Sequence, residues 1–304
     1  MERIWTLPPV LSEPLRRPVL RAAARFLERG TILEPGCGSG WPGRLLLAEN
    51  DALQIAGADI SEEQILLAQR AAEAAGVASR ARYCRAEMGE VDLAEYSGAF
   101  VHAALHHLSD VEVQKLLDSL ARAPRGFKVA FYEPVFVERW RWLPRRLARV
   151  VCRLLQVLKG RLVPGGLRYD EELLNEMKAL QSEAEAEGWF LSPKEVPFER
   201  RWLFVELERR FDVVLARPVH FDAIEVAQRL AAIASPDDLA VVSPRILERA
   251  LKFDRALLST GLYRTCESRY AFWLIGVTSR GDATSAAATG SAAAGGRASS
   301  GRAP

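Results

Sequence analysis

Cysteine is scarce in this 304-residue chain. The four residues, Cys37, Cys84, Cys152 and Cys266, lie far apart and form no CxxC pair. Their spacing suggests neither a zinc site nor a disulfide framework, and a reducing cytoplasm is the expected compartment. Neither sign of charge dominates. With 41 basic and 39 acidic residues and a net charge of +2, the chain lacks the basic excess that would point to nucleic acid. No stretch offers about 18 uncharged apolar residues, so no membrane span is expected. The opening MERIWTLPPVLSEPLRRP lacks the basic-then-apolar layout of a signal peptide. The remaining composition, 49% hydrophobic and 26% charged, is that of an ordinary globular protein and excludes a disordered chain or a collagen-like repeat.

The first half alternates short apolar runs with helical patterns. The runs are Thr31–Leu33, Leu53–Ala58, Ala81–Arg85, Ala99–Ala103 and Phe127–Tyr132. Between them, Trp41–Asn50, Glu62–Ala75 and Val111–Arg122 suit amphipathic helices, the last with Val113, Leu116, Leu117 and Leu120 at helical spacing. Ser61 before Glu62, Glu63 and Gln64 reads as an N-cap with a capping box. This alternation predicts βαβ units and an α/β fold, a parallel sheet with helices on both faces. Two later runs, Phe211–Phe221 and Tyr270–Val277, are expected to complete the sheet. Residues 138–188 and 222–263 read as helical insertions or a cap, within one domain over 1–278. Residues 279–304 are almost all Ala, Gly, Ser, Thr and Arg, a composition that cannot bury a core and is read as a disordered tail.

The most informative stretch is Thr31-Ile-Leu-Glu-Pro-Gly-Cys-Gly-Ser-Gly40. Gly36, Gly38 and Gly40 between a strand and a helix let the backbone approach a ligand closely. The dinucleotide fingerprint GxGxxG fails, because Trp41 stands at its third glycine. The P-loop fails because no lysine follows. Glu34, just before the loop, would repel a pyrophosphate. A cationic or hydroxyl-rich ligand without phosphate suits these residues, and S-adenosylmethionine has an ammonium, a sulfonium and a ribose diol. Asp59 follows Gly40 by 19 residues, the usual offset for an acid that accepts from ribose hydroxyls. Glu87 and Met88, after the third run, suit the adenine amino group and ring.

These residues resemble the class I S-adenosylmethionine-dependent methyltransferases, of the small-molecule, methyltransferase-11/12-like type. ILEPGCGSG looks like the first motif, AGADIS the second-strand motif and AEMGEVDL the adenine loop. Ala104-Leu-His-His-Leu-Ser-Asp110 is similar to the LHHLxD turn, and Phe131-Tyr-Glu-Pro134 to the end of strand five. The match covers about residues 30–134, with a weaker likeness for the last two strands. It implies a Rossmann-like seven-stranded, mostly parallel sheet with an antiparallel last strand. By position it implies cofactor contacts from Glu34, Gly36, Gly38, Gly40, Asp59, Ile60, Glu87 and Met88. Glu87 stands where aspartate is the more frequent residue, a longer reach with the same charge.

His106 and His107 are the candidate catalytic pair, as a general base or as positioning residues. Adjacent histidines do not have metal-ligand spacing on one helix face, so no metal is expected. His102 reads as a core histidine, and His220 as a strand-end or cap contact. Cys37, beside a helix N-terminus, is expected to have a lowered pKa, with packing its favoured role. Residues 139–161 hold eight basic residues and no acidic one, with Leu147, Val150, Val151, Leu154, Leu155 and Leu158 on an apolar stripe. That basic amphipathic helix suits peripheral membrane or lipid-like substrate contact, or pairing with the acidic Asp170–Glu187. The expected function is methyl transfer from S-adenosyl-L-methionine to a small apolar acceptor (quinone, polyketide-like or lipid-like). Trp140, Trp142, Trp189 and Phe190 supply the apolar hint. The alternatives are a non-catalytic binding protein of the same fold and a nicotinamide-dependent oxidoreductase.

Overall fold

The computed structural model describes residues 9–87, 91–162, 197–221, 223, 226–227, 236–266 and 269–281. Seven strands form one sheet: β1 (Gly30–Pro35), β2 (Leu53–Asp59), β3 (Ala81–Arg85), β4 (Gly98–His102), β5 (Lys128–Phe136), β6 (Phe211–His220) and β7 (Tyr270–Ser279). Their order is β3-β2-β1-β4-β5-β7-β6. The pairs from β3 through β5 are parallel, and β7 runs antiparallel to both β5 and β6. The Rossmann-like seven-stranded sheet with one reversed strand, expected from the sequence, is the observed fold. The strand order reverses direction between β1 and β4, which opens a crevice at the carboxyl ends of those strands.

Among the described residues, the sheet is accompanied by α1 (Pro9–Leu27), α2 (Trp41–Glu49), α3 (Glu62–Ala74), α4 (Asp110–Ala121), α5 (Arg145–Leu162), α6 (Arg200–Arg210) and α7 (Pro236–Thr260). Parallel strands covered on both faces read as continuous apolar runs rather than alternating ones. One core lies on the α1–α2–α3 face, around Leu20, Leu46, Ile55, Ile65 and Phe100. The other lies under α4 and α6, around Val101, Leu117, Phe131, Leu203 and Leu207. Helix α4 buries Val113, Leu116, Leu117 and Leu120, the four residues that its spacing selects. Each such burial contributes about 1.5–3 kcal/mol before entropy is counted.

The caps only partly follow the sequence reading. The Ser61 hydroxyl accepts from the Gln64 N–H at 3.3 Å, but Ser61's own N–H donates to Asp59, so the reciprocal half of a capping box is not available. The complete box stands at Ser109 and Glu112. Helix α1 carries Pro14 and Pro18, both exposed. The backbone bonds that they interrupt face water, which explains why a helix invisible to its local propensity persists. It is held by Leu11 and Leu15 against Leu247 and Ala250 of α7.

The expectation that the cysteines form no disulfide is corrected. Cys152 on α5 and Cys266 before β7 are joined, with Cα atoms 5.4 Å apart. The pairing spans 114 residues, which is why spacing could not show it, and it removes the cysteine argument for a reducing compartment. Strand β7 continues through Ser279, and Arg280 pairs with Asp212 at 2.9 Å. The acidic Asp170–Glu187, Trp189, Phe190, Met88 and residues 282–304 lie outside the described residues. No helix among the described residues is long and apolar enough to cross a membrane.

Candidate active site

Strand β1 ends at Pro35 and the chain turns through Gly36, Gly38 and Gly40, at φ of +67°, +51° and +68°. Only glycine takes three left-handed positions in five residues without steric cost. The loop folds back over β2, with the Gly36 and Cys37 N–H groups both donating to the Ala58 carbonyl. A Cβ on Gly40 would lie 2.6 Å from the Tyr83 ring, whereas one on Gly38 would meet only Gln64 Oε1, at 3.8 Å. The loop is therefore packed at its end and open at its middle.

Asp59, at the end of β2, ties this loop in place. Its Oδ2 accepts from the Gly38 N–H and its Oδ1 from the Ser61 N–H, each at 2.9 Å. Each oxygen keeps a further lone pair. Ile60 follows and is 67% exposed. Gly36, Gly38, Gly40, Asp59 and Ile60 thus gather at the carboxyl ends of β1 and β2. Glu87 lies exposed just beyond β3, at the same end of the sheet.

Glu34 faces the other way. It is 1% exposed and lies beneath the start of α2, where Oε1 accepts from the Gly43 N–H at 3.1 Å. Its Oε2 is buried without a hydrogen-bond partner. Burial pushes its carboxyl up to about 8. A Cβ at Gly43 would lie 2.3 Å from Oε2, so the glycine leaves room for the carboxyl.

The turn after β4 holds a second arrangement. Ala103 adopts φ +50°, a rare conformation for a residue with a Cβ and one that the surroundings must hold in place. Glu133 of β5 does so. It is fully buried, and its Oε1 accepts from the Ala104 and Leu105 N–H groups, each at 2.9 Å. Its Oε2 meets His106 Nδ1 at 2.8 Å. A carboxylate can only accept, so Nδ1 donates, and the neutral form of the ring has its lone pair on Nε2. His106 lines a cavity of about 440 Å³ with Leu108, Phe136, Phe198 and Trp202. The His107 ring lies 4.2 Å away; burial and His106 lower its pKa. The dyad thus singles out His106. Glu133 was not among the expected site residues, although a lone acid inside the apolar run Phe127–Val135 carries a signal: a carboxylate there must find partners.

His102 stacks on Tyr132 at 4.8 Å and meets Trp41 edge-on at 5.0 Å. Burial drives its pKa well down. His220 is buried, with Nδ1 2.9 Å from Tyr132 Oη, and burial lowers its pKa to about 4. The expectation of a lowered pKa at Cys37 is corrected. The thiol is buried beside Glu34 and Asp59, and both burial and those carboxylates push it up.

A methyltransferase-domain model matches residues 32–125 of this chain. No curated protein matches by sequence. Among solved structures, the cyclopropane synthase MmaA2 from Mycobacterium tuberculosis is similar at 14% identity and a TM-score of 0.53, covering 86% of this chain and 83% of that one. The geranyl diphosphate C-methyltransferase from Streptomyces coelicolor A3(2), solved with S-adenosyl-L-homocysteine, is similar at 11% identity and a TM-score of 0.51, covering 88% and 83%. The 4+2 cyclase SpnF is similar at 16% identity and a TM-score of 0.51, covering 87% and 82%. These similarities establish the methyltransferase fold.

Proposed function

We propose that this chain, with its class I methyltransferase fold and its methyltransferase-domain match over residues 32–125, is an S-adenosyl-L-methionine-dependent methyltransferase acting on a small apolar acceptor. The observation that carries the reading is the glycine loop held against Asp59, open over Gly38 and free of the third-glycine geometry that a dinucleotide needs. The donor set fits the cofactor. Asp59 keeps lone pairs for the ribose hydroxyls, exposed Ile60 offers an apolar contact to the purine, and exposed Glu87 follows at the same end of the sheet. Glu34 contributes from beneath, through the start of α2 and an oxygen without a partner.

S-adenosylmethionine, when bound, supplies an electrophilic methyl on a sulfonium sulfur. The protein's part is positioning and proton removal. His106 Nε2 takes the proton from the acceptor's nucleophilic atom. Glu133 stabilises the resulting imidazolium across 2.8 Å. Phe136, Phe198 and Trp202 form an apolar wall that excludes water from the acceptor.

Calorimetric titration with S-adenosylhomocysteine tests the reading. Asp59→Ala is expected to weaken that binding by about 1–3 kcal/mol, through lost charge-assisted hydrogen bonds. Unchanged affinity in a folded variant would remove Asp59 from the site, and binding of NADH in place of S-adenosylhomocysteine would favour the oxidoreductase. The likeness to a cyclase keeps a second reading alive, a methyltransferase fold that binds the cofactor without methyl transfer. Release of S-adenosylhomocysteine in the presence of acceptor separates the two.

Helix α5 supports peripheral membrane contact. At 100° per residue, three sectors follow one another around it. Ala148, Leu155 and Lys159 are buried; Arg146, Arg149 and Arg153 form an exposed basic stripe; and Leu147, Val150, Leu154, Val157 and Leu158 are each about half exposed. Trp142, just before the helix, is 72% exposed. An apolar stripe bordered by arginines suits the surface of an anionic bilayer. The protein is expected to co-sediment with vesicles containing phosphatidylserine and not with neutral ones, and Leu154→Glu should reduce that binding several-fold. Equal recovery with both kinds of vesicle would count against it.

A further inference from the structure

Beyond the end of β5 lies a second cavity, of about 530 Å³. It borders the His106 cavity, because Phe136 and Glu199 line both. Its walls bring together arginines from three separate segments: Arg139 and Arg141 after β5, Arg200 and Arg201 at the start of α6, and Arg264 in the turn before β7. Two carboxylates face these five guanidinium groups. One of them, Glu138, is engaged with Arg200 at 3.0 Å, and the Glu138 carbonyl accepts from Arg264 Nε at 2.8 Å. Arg141 and Arg201 are exposed and form no ion pair or hydrogen bond among the described residues. The five guanidinium groups outnumber the two carboxylates that line the same cavity.

A second observation points the same way. Helix α6 opens on Arg200 and Arg201, has no acid in its first turn, and its N-cap Glu199 makes no side-chain cap bond. Cations at a helix N-terminus oppose the macrodipole, and unmet N–H groups there favour an anion. Glu138 answers Arg200 there, whereas Arg201 faces the cavity without an ion pair among the described residues.

Resting on the methyltransferase reading above, we infer that this cleft takes the anionic head group of the acceptor. The acceptor is an amphiphile, with a phosphate-type dianion among the arginines and an apolar body running past Phe136 toward Phe198, Trp202 and His106. Guanidinium forks match phosphate oxygens in geometry. An excess of cations from three segments suits more charge than one carboxylate carries.

Octyl phosphate is the probe, titrated calorimetrically into the full chain beside octanoate, octanol and inorganic phosphate, with S-adenosylhomocysteine binding measured in parallel. Octyl phosphate is expected to bind tightest of the four, and more weakly as salt rises. The R141Q/R201Q variant, altered at two exposed positions, is expected to bind it at least about tenfold more weakly and S-adenosylhomocysteine unchanged. Arg200→Gln serves as the second variant, with loss of octyl phosphate affinity again expected. Equal octyl phosphate affinity in wild type and variants overturns the subsite. Octanoate binding as tightly overturns the dianion assignment, and inorganic phosphate binding as tightly overturns the amphiphile. Arginine-dependent octyl phosphate binding without S-adenosylhomocysteine binding would sink the methyltransferase reading and leave the subsite standing.

Discussion

Glu133→Gln is expected to remove most turnover while leaving the protein folded. The two buried N–H groups of Ala104 and Leu105 need an acceptor, and the glutamine carbonyl oxygen supplies it. The amide NH2 is then left facing His106 Nδ1, where Oε2 stood. An amide N–H can only donate, so Nδ1 becomes the acceptor and the imidazole proton moves to Nε2. The nitrogen that should receive the acceptor's proton already carries one. A fall in kcat of about 10²- to 10⁴-fold is expected, with a melting temperature close to wild type. Glu133→Ala behaves differently: it strands two buried donors at about 1–3 kcal/mol each, and it should lower the melting temperature clearly. A glutamine variant with wild-type kcat would take the His106–Glu133 pair out of the chemistry and leave it a purely structural tie for the strained Ala103 turn.

The second large effect concerns Glu34 and pH. Burial raises its carboxyl to about 8 in the folded chain, from an ordinary value of 4.5. The folded state therefore holds a proton that the unfolded state has lost over this range. Below pH 4.5 both states are protonated and the group imposes no penalty. As pH rises from 4.5 toward 8 the unfolded chain ionises first, and stability falls; above 8 the loss levels off. Each pH unit of that interval corresponds to about 1.36 kcal/mol, so the loss is at most roughly 5 kcal/mol. Glu34→Gln cannot ionise and keeps an acceptor for the Gly43 N–H. Urea unfolding at pH 5 and pH 8.5 checks this: similar stability for the two proteins at pH 5, and a more stable glutamine variant at pH 8.5. Parallel pH profiles would show that Glu34 is charged and solvated in the folded protein.

The parts of this protein legible in its sequence are those in which cause and effect lie close along the chain. The apolar runs that become β1, β2, β4 and β5 specify buried strands through their own composition. Val113, Leu116, Leu117 and Leu120 select the buried face of α4 through helical spacing. The glycines at 36, 38 and 40 mark a turn that no other residue makes cheaply, and Asp59 is found by its distance from that turn. Even the missing capping box at Ser61 has a local cause, because Asp59 takes the N–H that the box requires.

Tertiary structure decided the rest, because the partners are distant in sequence and meet only when the strand order brings them together. Pairing of β4 with β5 carries Glu133 onto His106 across 27 residues. That pairing ties one of two adjacent histidines to a buried carboxylate. The same folding buries Glu34 under α2, and it closes Cys152 onto Cys266. It also gathers Arg141, Arg201 and Arg264 into one cleft from segments with no shared motif. A sequence window senses propensity and periodicity, whereas burial and charge proximity depend on where the other strands and helices lie. The fold and its glycine loop thus follow from local chemistry, and the His106–Glu133 pair and the arginine cleft follow from topology.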